Sequence, residues 1–146
     1  MQLAPTFERV IYHEPCYLGR HNGEYDAPRA IVARLSSDTP LEFKLTREKA
    51  MCCGAGGGRM WIDETIGKRI NVVRVEQALE AAPRTIATAC PYCAVMVGDG
   101  LGALQPDGAI QSRDIAELVA DAMRVTAAPV GMPVPASLAP EQRSTR

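Results

Sequence analysis

Apolar and polar positions along the chain switch between a period of two and a helical period. Arg9-Val10-Ile11-Tyr12-His13 is a β-branched and aromatic run closed by Pro15, which predicts a first strand. Asp26-Ala27-Pro28 reads as a helix start, because proline in the first turn loses no needed N–H. That helix is expected to reach about Leu35. From Leu41 to Leu45 apolar and charged residues alternate, the pattern of a half-buried second strand. A glycine-rich loop, Cys52 to Gly58, follows. A long helix is then expected, capped by Asp63 and running to about Ala82, where Pro83 ends it. Ile62, Ile66, Ile70 and Val73 would form its apolar side, widened by Val72, Val75 and Leu79. Arg84 to Thr88 predicts a third strand, and Cys90-Pro91 opens another helix. A short strand is expected near Ala109 to Ser112. Asp114 with Glu117 resembles a capping box that starts a last helix, with Ile115, Leu118, Val119, Ala122 and Met123 on one face.

Such alternation predicts an α/β fold, a small parallel β-sheet flanked by helices. In these sheets the functional loops lie at the carboxyl ends of the strands. On this reading every cysteine follows a strand: Cys16 the first, Cys52 and Cys53 the second, Cys90 and Cys93 the third. Residues 1–125 form one domain. Residues 126–146, rich in Pro, Ala and Ser and then polar, read as a disordered tail.

Composition narrows the function classes. A formal net charge of -1 gives no bulk attraction to nucleic acid or to an anionic membrane surface. No apolar run reaches the roughly 18 residues of a membrane span, and residues 1–10 hold no signal-like apolar core. The expectation is a cytoplasmic protein without direct membrane insertion, in a compartment where cysteines stay reduced. Five cysteines, an odd number, also argue against a closed disulfide framework.

Thiolates are soft ligands that suit zinc and iron–sulfur clusters. One zinc ion takes four ligands in a tetrahedron. Here there are five thiols, and Cys52 and Cys53 are adjacent. Neighbouring cysteines converge poorly on one ion but can touch different atoms of a larger cluster. Gly54, Gly56 and Gly57 would let backbone N–H groups approach the sulfurs. Cys90 at a helix start and positive side chains nearby, among them Arg20, Arg59, Lys68 and His13, would favour an anionic group. The glycine run fits no nucleotide motif: a dinucleotide fingerprint needs glycine where Arg59 stands, and a Walker A motif needs Ser or Thr at Arg69. A zinc-stabilised, non-catalytic interaction domain is the alternative reading.

The spacing is also specific. Thirty-five residues separate Cys16 from Cys52, and 36 separate Cys53 from Cys90-x-x-Cys93. This resembles the cysteine-rich CCG domain of heterodisulfide reductases and related iron–sulfur oxidoreductases. The blocks Tyr12 to Arg20, Cys52 to Trp61, Gly67 to Asn71 and Ala87 to Cys93 are most similar to a membrane-associated branch linked to electron-transfer flavoprotein. The resemblance implies a 4Fe-4S cluster, cubane or non-cubane, held by Cys16, Cys52, Cys53, Cys90 and Cys93. Gly54, Gly56, Gly57 and Arg59 would form its cofactor-binding surround. It implies electron relay to or from a partner cluster, flavin or quinone. Family members generally carry a second CCG domain and ferredoxin-like motifs upstream. The expected partner is therefore this N-terminal half, with membrane association only through it. Tyr17, Met60, Trp61 and Tyr92 would then expose apolar surface around the cysteines.

Overall fold

A computed structural model describes residues 3–105 and 107–127. Its centre is a three-stranded sheet in the order β1 (Val10–Tyr12), β2 (Thr85–Thr88), β3 (Gln111–Asp114), and both pairings are parallel. The helices are α1 (Asp26–Leu35), α2 (Ile70–Leu79), α3 (Pro91–Leu104) and α4 (Ile115–Ala127). The α/β class with a small parallel sheet is thus the one the alternation predicts.

Period-two alternation decides which helix covers which face. Val10, Tyr12 and Ala87 point to one side and pack with Val32 and Leu35 of α1 and Leu118 and Ala122 of α4. Ile11 and Ile86 point to the other and pack with Val75 and Ala78 of α2 and Val97 and Leu101 of α3. The start of α4 is the predicted capping box: Asp114 Oδ1 accepts from the Ala116 N–H at 2.9 Å, and Glu117 Oε2 from the Asp114 N–H at 3.0 Å. Among the described residues no helix is long and apolar enough to cross a membrane.

Two predicted elements differ. The alternating run Leu41 to Leu45 is not a strand. Only Leu41 bridges to Ile11, its N–H donating to the Val10 carbonyl at 2.7 Å. Beyond it the chain turns away: Phe43 is drawn into the core, and the Arg47 N–H donates to Glu14 Oε2 at 2.7 Å. Side-chain acceptors have replaced the ladder there. Cys52 and Cys53 therefore follow an irregular segment, not a strand.

The helix expected from Asp63 to Ala82 is shorter, covering only α2. Gly67 adopts φ +71, a left-handed conformation that stops a helix from running through it. Glu64, rather than Asp63, reaches the start of α2, its Oε2 accepting from the Ile70 N–H at 3.3 Å. Ile62 and Ile66 are exposed, and the buried side of α2 is Asn71, Arg74, Val75 and Ala78. α4 continues through Ala127, and residues 128–146, where the disordered tail is expected, lie outside the described residues.

Candidate metal centre

β1 and β2 run in parallel register, with Tyr12 opposite Ala87, so the segments leaving them emerge side by side. The first carries Cys16 into a single π-helical turn, Tyr17–His21. The second carries Cys90 to the N-cap of α3, with Pro91 at its first position and Cys93 one turn in. The irregular segment brings Cys52 and Cys53 against them. All five cysteines line one cavity of about 610 Å³, and all five are free thiols. Cys53 and Cys93 are buried with their Sγ atoms 3.4 Å apart, while Cys16, Cys52 and Cys90 are half-buried. Tyr17, Trp61 and Tyr92 line the same cavity and are largely exposed, Trp61 at 82%.

The Cys52–Gly58 loop turns its backbone toward sulfur. The Gly54 N–H donates to Cys52 Sγ at 3.3 Å. The Gly56 N–H acts on the same sulfur, and the Ala55 N–H on that of Cys53. Gly54 holds φ +94, and a Cβ there would stand 3.0 Å from Ile70 Cβ, so both backbone and space require glycine. Gly56 also lines the cavity and Gly57 does not, and a Cβ on either would meet nothing within 4 Å, though Gly57 holds φ +66.

These donors favour thiolate, but the cavity opposes it. Hydrogen bonding to Cys53, then burial, pushes the Cys52 thiol well above the usual range despite the loop N–H groups. For Cys53 the Cys52 contact lowers the pKa, but hydrogen bonding to Cys93 and burial outweigh it and push the thiol up to about 11. Crowded sulfurs in an apolar cavity cannot all ionise without cationic charge between them. That donor set fits a multivalent metal group addressed by several thiolates.

Behind the sulfurs lies a buried basic pair. A ring nitrogen of His13 and the Sγ atoms of Cys53 and Cys93 lie within 4.8 Å of one another. His13 Nδ1 accepts from Arg74 Nε at 3.1 Å. Burial, then the Arg74 charge, lowers the His13 pKa to about 3, so the imidazole is neutral. With Nδ1 accepting, the proton sits on Nε2.

Of the positive side chains singled out in the sequence, His13 stays beside the sulfurs and the other three go elsewhere. Arg20 Nη2 donates to the Ala50 carbonyl at 2.7 Å. Arg59 is not among the cavity residues and pairs with Glu64. Lys68 pairs with Glu76 at 2.7 Å. Sequence reasoning missed Arg74, although it stands on the helical stripe between Ile70 and Ala78, where an apolar residue was due.

A family model described as the CCG cysteine-rich domain matches residues 10–98. The chain is 44% identical over 119 residues to the probable iron-sulfur-binding oxidoreductase FadF of Bacillus subtilis (strain 168), covering 82% of this chain and 17% of that protein. It is 39% identical over 126 residues to the EtfAB:quinone oxidoreductase of Syntrophomonas wolfei, covering 82% and 18%. It is 36% identical over 119 residues to one subunit of the dihydromethanophenazine:CoB--CoM heterodisulfide reductase of Methanosarcina barkeri (strain Fusaro), covering 82% and 29%. The chain thus spans less than a third of these relatives. Convergent cysteines, family model and relatives agree: the chain belongs to the cysteine-rich CCG domain family, in the form found in heterodisulfide reductase-related iron–sulfur oxidoreductases.

Proposed function

We propose that the chain is the iron–sulfur redox domain of a larger oxidoreductase, holding a 4Fe-4S cluster through Cys16, Cys52, Cys53, Cys90 and Cys93. The observation that carries this reading is the convergence of all five free thiols on one cavity of about 610 Å³, more sulfur and more room than one ion needs. A one-ion arrangement of His13, Cys53 and Cys93 is disfavoured, because His13 Nδ1 already accepts from Arg74 and Nε2 carries the proton. When bound, such a cluster supplies a one-electron couple. The protein's residues set its surroundings: the Gly54, Ala55 and Gly56 N–H groups face sulfur, and the apolar lining limits water, both levers on reduction potential.

Electron relay to a partner centre is the role this arrangement supports. The relatives' names point to electron-transfer flavoprotein and quinone as exchange partners. Such partners suit a cytoplasmic domain that meets the membrane through the rest of its protein. Tyr17, Trp61 and Tyr92 leave an apolar rim on the cavity, which we read as the docking face for a second CCG domain with ferredoxin-like centres.

Anaerobic reconstitution tests the reading. The chain should turn brown and hold about four irons with matching acid-labile sulfide, following the cluster type proposed. A folded chain that takes up zinc stoichiometrically and no iron would identify it instead as a zinc-stabilised interaction domain.

A further inference from the structure

Arg74 is 1% exposed and enters the protein interior from α2. None of the ion pairs among the described residues includes it. Its Nε donates to His13 Nδ1 at 3.1 Å and its Nη1 to Gln77 Oε1 at 3.0 Å, both neutral acceptors. Its Nη2 is buried with no partner. One face of the guanidinium lies 3.4 Å from the centre of the Phe43 ring. The carboxylate that acts on it most, Glu14, is already engaged by Arg29 Nη1 and the Arg47 N–H, each at 2.7 Å. Burial lowers the Arg74 pKa to about 10, which leaves it charged at neutral pH.

A buried, unpaired cation is among the most unfavourable features a protein interior can hold. It persists where another charge compensates it. Besides Glu14, the groups that act on Arg74 are Cys52, Cys53 and Cys93. The Cys53 and Cys93 sulfurs are buried and lie 3.4 Å apart. The missing negative charge is supplied when thiolates and sulfide gather in the cavity. His13 stands between the two, accepting from Arg74 on one nitrogen and presenting an N–H on the other, with a ring nitrogen within 4.8 Å of two sulfurs.

We infer that Arg74, acting through His13, is the built-in counter-charge of the sulfur site, a positioning residue that favours an anionic cluster and raises its reduction potential. This rests on the iron–sulfur reading above. Its logic is that reduction adds one negative charge, which a nearby fixed cation in a poorly screened interior stabilises. It also predicts opposite effects in two states of the chain. Without metal, Arg74 lacks its full compensation and burdens the fold; with the cluster present it is satisfied.

The test compares the 146-residue chain with Arg74→Met and Arg74→Lys, reconstituted anaerobically with iron and sulfide. In Arg74→Met the ratio of reduced to oxidised cluster at the wild-type midpoint should fall at least tenfold, a shift of about 59 mV to more negative potential for one electron. Arg74→Lys should keep most of the wild-type potential. Metal-free Arg74→Met should be at least as heat-stable as metal-free wild type. Loss of iron loading in Arg74→Met with recovery in Arg74→Lys also supports the role. An iron-loaded Arg74→Met chain with an unchanged midpoint overturns the inference and leaves the cluster reading standing. So does an Arg74→Met chain that is destabilised or unfolded without metal, because then the arginine is a structural strut. A wild-type chain that holds no iron overturns both.

Discussion

The Cys53 sulfur, 3.4 Å from that of Cys93 in an apolar cavity, holds its proton more tightly than a free thiol does. Because Cys52 and Cys53 are raised above neutral pH, both are thiols in the metal-free chain at pH 7. Loading must therefore release protons, and metal uptake should weaken as pH falls; a pH indicator in weak buffer during anaerobic loading reads this directly. The sign for the bare fold is opposite. A thiol whose folded pKa is raised contributes stability below its unfolded value of about 8.5. That contribution is lost as pH rises toward the folded value, about 11 for Cys53. Metal-free protein should thus melt at lower temperature between those limits, and Cys53→Ser should flatten the decline. Adjacent thiols that address different atoms are not spare for one another. Cys52→Ala and Cys53→Ala should each lower iron content as severely as Cys90→Ala, measured as iron per chain. Gly54→Ala forces a side chain into φ +94 against Ile70, and should cost about 1–3 kcal/mol in denaturant unfolding.

At the scale of elements, the sequence is legible wherever local chemistry decides the outcome. Val10–Tyr12 and Thr85–Thr88 are strands because their neighbours are β-branched and alternate between two covered faces. Pro91 and the Asp114–Glu117 box fix helix starts by satisfying or removing terminal N–H groups. Asp114→Ala should remove about 1 kcal/mol from thermal stability without altering iron content. Residues 42–69 are another matter. Their path is set by side-chain partners rather than by a period: the distant Glu14 for the Arg47 N–H and Arg74 for the Phe43 ring, and the nearer Glu64 for Arg59 and Ile70. A period-two run such as Leu41 to Leu45 cannot reveal that a buried guanidinium captures its central aromatic. Gly67 did carry a local signal, since a glycine inside an apparent helix often marks its end. The five cysteines were legible as a set because thiols at loop positions have few other uses. Their charge compensation was not, because an arginine on the buried stripe of α2 carries no local signal that ties it to cysteines far away in the chain.

For the whole molecule, the chain corresponds to less than a third of the relatives it matches, and an exposed aromatic rim surrounds the cavity. Trp61→Ser with Tyr17→Ser should leave iron content intact while weakening association with the remainder of such an oxidoreductase, read by size-exclusion chromatography. The geometry of the cysteines has one more consequence, which belongs to polymer physics. Cys16, the Cys52–Cys53 pair and Cys90 divide the chain into two long loops, and the second of them contains α2. Any group bound by all of these sulfurs closes both loops into rings. Ring closure removes conformations from the unfolded ensemble much as a disulfide does, with an entropy that grows only slowly with loop length. Residues 42–69 have the most to gain, for apart from short 3₁₀ turns they hold no regular hydrogen-bond ladder of their own. Trypsin should cut the metal-free chain there, at exposed Arg59 and Lys68, and spare the loaded one. A centre built to move electrons would then also act as the crosslink that decides how long this fold survives.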